Sequence, residues 1–310
     1  MRDVPRLYLN GFACTGDACT WLSRLEQAAA RPAAPMPPYS YNTRRLDKMV
    51  ALSVEAAFAA LARSGILPAE AQRLGVVGLS HNGPSLYSED FIRDLMSQAD
   101  PALVNPMPFA ESVLNIAAAH VSLALKTKQP VYTLHTDLEH FFDMLDTLFL
   151  LTQTKQFDRG VFCVCEEFSV LGRRIMSDCS DLPGTRFVDS ALAVVFSTNP
   201  GHGGTLACLE PPQQTADPHE FIEQMHRLRI PGVTDYVWSA YSSDPPPSAL
   251  TDQFAVQPSF LEPPVMDQEQ AFMVTRMAEV LDCGLRTAQG RESVLIQSSR
   301  GVFGWVRVAQ

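Results

Sequence analysis

Residues 115–140, NIAAAHVSLALKTKQPVYTLHTDLEH, constrain the fold more than any other stretch of this 310-residue chain. An Ala- and Ser-rich segment spanning 109–127 predicts a helix whose small side chains allow close packing against a neighbour. Pro130 ends it, because proline has no N–H to donate and its ring clashes with the preceding turn. VYTLHT then predicts a strand, and Thr136 or Asp137 is placed to cap a helix over 138–155 with Glu139 in its first turn. A strand flanked closely by two helices belongs in a layered α/β architecture, since its apolar side chains are buried only when helices cover the sheet.

The rest of the chain repeats this alternation. Residues 6–12 and 74–80 predict short buried strands, and between them, over 46–64, Leu46, Met49, Val50, Val54, Ala57, Phe58 and Leu61 share one helical face that Gly65 terminates. Strands are predicted at 160–168 and 189–198. A Gly- and Pro-rich stretch, 199–219, changes the composition and holds one short strand at 205–209; after it come helix 218–228, strand 233–240, helix 267–283 and a terminal strand pair at 293–298 and 302–308. The expected organisation is a larger half, 1–200, and a smaller half, 201–310, forming one compact unit. No repeat is visible in the sequence.

Charge and composition exclude several classes. With 24 basic and 34 acidic residues the formal charge is −10, which argues against a sequence-independent nucleic-acid surface. No stretch reaches the ~20 apolar residues of a membrane helix. The first twenty residues lack a continuous apolar core, so a cytoplasmic protein is expected. Seven scattered cysteines, including Cys163 and Cys165 in an apolar run, read as buried reduced thiols.

Other fragments of motif carry little chemistry. His135, Glu139 and His140 miss the spacing of a zinc helix by one residue, so capping and packing are expected there and no metal. GLSHNG at 78–83 has Asn82 where a nucleophile elbow around Ser80 needs glycine, and it reads as a strand-to-loop turn. GHGGT at 201–205 lacks the Lys-Ser/Thr of a phosphate loop and reads as a crossover between the halves. The pairs Arg44–Arg45 and Arg173–Arg174 read as solvated surface charge with some capacity to meet a partner. No cofactor is expected.

The run from Asn115 to Pro130 and the strand after it resemble the heart of the β-ketoacyl synthases, in which a reactive cysteine opens the following helix. The opening LYLNGFACTGDACTWLSRL, the helix that begins DKM and the strand LGVVGLSHNGPS are similar to that family's N-terminal elements, and VLIQSSRGVFGWVRV matches its closing hairpin in outline. The resemblance implies a thiolase-like αβαβα fold of two similar halves, here shortened. It also places the family cysteine at Leu138, counted from Pro130, and leucine has no lone pair with which to attack a thioester. The family's first catalytic histidine falls at Ala240 or Tyr241 and the second in FLEPPVMDQEQ. The last histidine is His226, so residues 227–310 contain none.

By this resemblance the chain is expected to be a non-catalytic subunit, similar to the chain-length factors of type II polyketide or aryl-polyene synthases. It would heterodimerise with an active ketosynthase, shape or stabilise its acyl site in polyketide or fatty-acid-type synthesis, and meet an acyl carrier protein only through that partner. Tunnel and interface candidates are Asn115, His120, Tyr132, His135, Asp137, Leu138, Phe141 and Phe303, the last replacing a family glycine with a bulky ring. Two other functions fit the same resemblance: an acyltransferase or thioester hydrolase using His135, Asp137 or Cys163, and a homodimeric acyl-binding protein.

Overall fold

The computed structural model describes residues 5–16, 41–44, 46–135, 141–179, 186–200, 205–227, 233–240, 256–258, 269–270, 272–287, 292–299 and 302–309. The first part of the chain runs β1 (Leu7–Gly16), α1 (Lys48–Ser64), β2 (Gly75–Ser80), α2 (Ser85–Ser97), α3 (Met107–Glu111), α4 (Ile116–Leu125) and β3 (Val131–His135). It continues with α5 (Phe141–Gln153), β4 (Arg159–Glu166), α6 (Val170–Cys179), β5 (Arg186–Phe187) and β6 (Ser190–Ser197). The second part contains β7 (Ala207–Leu209), β8 (Gln213–Thr215), α7 (Pro218–Arg227), β9 (Val233–Ala240), β10 (Val256–Pro258) and β11 (Glu269–Gln270). It closes with α8 (Phe272–Thr287), β12 (Glu292–Ser299) and β13 (Val302–Ala309).

The strand ladder contains the repeat that the sequence hides. Its order is β10-β9-β12-β13-β7-β1-β6-β4-β2-β3. Read from each outer end towards the middle, both halves show the same senses: β3 and β10 are parallel to β2 and β9, which are parallel to β4 and β12. Both halves then turn antiparallel, to β6 and β13, and end antiparallel on β1 and β7. The short pairing Leu7↔Leu209 to Leu9↔Ala207 joins them. The expected fold of two similar halves is therefore the observed one.

Packing makes the layers. On β4, Val161, Cys163 and Cys165 share a core with α1 and α4, whereas Phe162 and Val164 point into a second core with Phe141, Leu145 and Phe149 of α5. That second core also holds Val274, Met277, Ala278 and Leu281 of α8 together with Leu295, Val306 and Val308 of the second half. Helix α8 thus touches β4 and β6 on one side and β12 and β13 on the other. Beyond β13, Phe221 of α7 packs at a tilt against Trp305, 5.6 Å between ring centroids. The order is α1/α4, the half of the sheet holding β4, α5/α8, the half holding β12 and β13, then α7.

Several expected elements change in detail. The single helix predicted over 109–127 is two, α3 and α4, because the chain turns at Ser112–Asn115 and the Ile116 amide bonds back to Val113 O. Strand β1 continues to Gly16, since it pairs with β6 from Tyr8 to Gly16 with one irregularity at Asn10. Helices α2 and α6 escape the sequence reading: α2 has no buried residue, so no core-facing stripe announces it. Elsewhere boundaries move by a few residues, and α1 ends as expected at Gly65, with φ +72°.

Candidate functional site

The parallel strands β3, β2 and β4 end side by side, and their carboxyl ends are where an α/β sheet of this kind presents polar groups. His135 is exposed at the end of β3, and its Nδ1–H donates to the Ser80 carbonyl at 3.0 Å. A carbonyl only accepts, so Nδ1 is the donor in this bond.

Ser80 itself is buried, and its Oγ accepts the Gly83 amide at 2.8 Å in a turn where Gly83 takes φ +67°. Glu166 completes the turn by accepting the His81 amide at 2.9 Å and the Asn82 amide at 3.4 Å. The GLSHNG segment is thus a closed turn, as expected, and its serine is not available as a nucleophile.

Behind this rim lies a buried acidic cluster that sequence reasoning missed. Asp47 caps α1 by accepting the Met49 amide at 2.7 Å, and Glu167 accepts the same amide at 3.0 Å and that of Leu86, at the start of α2, at 2.8 Å. Burial, together with the Asp47 carboxylate beside it, pushes Glu167 up to about 9. Asp189 binds Lys48 Nζ at 2.6 Å, Arg173 Nη2 at 2.6 Å and the Phe168 amide at 2.9 Å. Arg173, read from the sequence as free surface charge, is therefore committed within the chain. Two adjacent glutamates closing an apolar strand, VFCVCEE, were the available signal.

The other expected site residues fall on two sides of the sheet. Tyr132 and Phe141 pack in the central core, and Tyr132 donates its hydroxyl to Gln156 Oε1 at 3.1 Å. His120 lies on α4 in the outer layer, its Nδ1 2.9 Å from the Tyr41 hydroxyl, and the exposed Asn115 immediately precedes that helix. Phe303 pairs through its backbone with Ser298 and Thr215, next to Gln214, which donates to Asp143 in the first turn of α5. Ala240 pairs with Ser298 at the end of β9. Asp137, Leu138, Glu139, His140 and Tyr241 lie outside the described residues, as does 201–204.

Cys163 does not serve the acyltransferase reading. It is fully buried in the core beneath α1 and α4, and burial pushes its thiol up to about 12, so it holds its proton at neutral pH.

At the outer end of the ladder, β3 has no further strand beside it among the described residues. Val131 on it is 40% exposed, and on the neighbouring α4 Leu123 is 62% exposed although Ala117, Ala118, Val121 and Leu125 are buried. Apolar residues thus occupy both the inward and the outward sides of α4, a pattern that belongs to helices with neighbours on both sides. Elsewhere on this half of the chain Leu114, Phe109, Ile92 and Met96 are also exposed.

Residues 16–137 match the family model of the beta-ketoacyl synthase N-terminal domain. The fold is a ketosynthase fold. Among solved structures, the ishigamide ketosynthase/chain length factor superposes with a TM-score of 0.70 at 14% identity, over 97% of this chain and 98% of that one. A type II polyketide ketosynthase, in complex with its acyl-carrier protein and bound to the hexaketide, gives 0.72 at 13% identity over 99% of each chain. A ketosynthase in complex with its chain length factor from Xenorhabdus doucetiae gives 0.57 at 14% identity, over 97% and 98%. No curated protein matches the sequence. Among the described residues, no helix of this ketosynthase-like chain is long and apolar enough to cross a membrane, and no cluster of three metal-ligating side chains occurs.

Proposed function

We propose that this chain is a non-catalytic, chain-length-factor-like subunit that pairs with an active β-ketoacyl synthase and stabilises or shapes its acyl-chain site. In this reading 1–200 and 201–310 are its two halves, and an acyl carrier protein reaches it only through the partner. The observation that carries the proposal is the open edge of β3 beside an α4 that is apolar on its outward side. An edge strand leaves a row of amide and carbonyl groups unpaired, and a second chain is the natural cover for both strand and helix. The sequence supplies the other half of the argument: Leu138 at the family's cysteine position and no histidine after His226. A retained pairing surface beside lost catalytic groups fits a partner subunit better than an enzyme acting alone.

The test is co-expression with active ketosynthases, size-exclusion chromatography of the product, and a malonyl-thioester condensation assay. A stable one-to-one complex, whose condensation disappears when only the partner's cysteine is replaced, supports the proposal. A protein that stays monomeric or homodimeric with every candidate, or that turns over an acyl thioester alone, overturns it.

A further inference from the structure

Two acidic side chains converge on one amide. Asp47 Oδ1 and Glu167 Oε2 both accept the Met49 N–H, at 2.7 and 3.0 Å, so the two carboxyl groups are neighbours. Both residues are buried, Asp47 at 3% exposure and Glu167 at none. Asp47 Oδ2 is shielded from solvent and accepts from no donor, so a proton on Glu167 would be its natural partner. Two carboxylates this close in a dry site repel strongly, and a buried acceptor without a donor costs about 1–3 kcal/mol. One proton removes both penalties.

We propose that Asp47 and Glu167 hold a single proton between them at neutral pH, and that this proton closes a latch holding the exit of β4 against the starts of α1 and α2. Glu167 makes the mechanical connection, because its other oxygen accepts the Leu86 amide of α2 while Ser85 Oγ donates to its backbone carbonyl. With the proton in place Glu167 donates to Asp47 and still accepts from both helix amides. Without it, a second negative charge is trapped between the two helix starts that the Glu167 carboxyl group links.

The surroundings add further acids. Tyr87 of α2 titrates above its ordinary value through burial and through Asp47, Glu111, Asp90 and Glu167. On β4, Glu166 is spent on the His81 turn, and Cys165 is pushed up by burial, helped by Glu166 and Glu167. Nearby Asp189 is matched by Lys48 and Arg173. A carboxyl group with a raised affinity for its proton often marks a catalytic acid. Glu167 has no exposed surface with which to meet a substrate, so its proton serves the architecture.

Because Glu167 binds its proton more tightly folded than unfolded, the latch contributes fully below its unfolded value of 4.5. That contribution is eroded as pH rises and is gone above about 9. The expected result in thermal unfolding of the full chain is that Glu167→Gln, which stays neutral and keeps a donor for Asp47, gains on the wild type steadily between about pH 5 and about pH 9. A Tm difference that does not change with pH overturns the latch. If the variant does not fold, infrared spectra of the wild type decide: a protonated-carboxyl C=O band at neutral pH that disappears as pH passes about 9 supports the proposal, and its absence at neutral pH overturns it.

Discussion

A Cβ built on Gly78 of β2 would lie 2.9 Å from the Cβ of Ala118 on α4, so strand and helix meet there with no space for a larger side chain on either. This contact seats α4 against the sheet and sets how far its outward face stands beyond the edge strand β3.

Gly78→Ala is therefore expected to destabilise the fold by about 1–3 kcal/mol, as overpacking does, because its neighbour is a short side chain fixed on a helix. Gly65→Ala is the control. Nothing lies within 4 Å of a Cβ there, but φ is +72°, so a loss of about 1–2 kcal/mol would come from backbone conformation alone. Urea unfolding of both variants checks the pair, and an unchanged midpoint for Gly78→Ala would contradict the close seating.

Leu123→Glu and Val131→Lys place charge on the surface assigned to a partner. Both side chains are exposed in the single chain, so its stability should change by less than about 0.5 kcal/mol. Affinity for an active ketosynthase should fall at least about tenfold, equivalent to ~1.4 kcal/mol. Titration by size exclusion or light scattering measures this, and undiminished pairing would place the interface elsewhere.

Asp189→Ala removes the acceptor shared by Lys48, Arg173 and the Phe168 amide. Both cations are partly exposed and can regain water, which limits the loss to about 2 kcal/mol. A denaturation midpoint within error of wild type would show that the cluster is not holding the β4 exit to β6.

Leu138→Cys puts a thiol where the resemblance places the family's nucleophile, yet under the proposed function no condensation should appear, since residues 227–310 contain no histidine to stabilise an enolate. A malonyl-thioester assay with the purified variant is the measurement. Detectable condensation would mean that other side chains supply that role.

The helix–strand–helix around Pro130 was legible because its signals are local: proline stops a helix, alternation in VYTLHT makes a strand, and glycine ends α1. The same logic missed α2, whose apolar residues Ile92 and Met96 face outward and form no core stripe. It also ran α3 into α4, since nothing in SVLN forbids helix and only the packing of α4 on β2 determines where the turn falls.

By itself the sequence determined the alternating α/β elements, the resemblance to ketosynthases, and the lack of any histidine after His226, because residue identity and short-range periodicity are enough for these. Only the tertiary structure decided that the two halves repeat one strand order, that Asp47 and Glu167 share an amide from opposite parts of the chain, and that α4 is apolar on its outward side. Those properties arise from contacts between residues as far apart as Asp47 and Glu167, and no local pattern of side chains encodes which distant backbone will come to rest beside them.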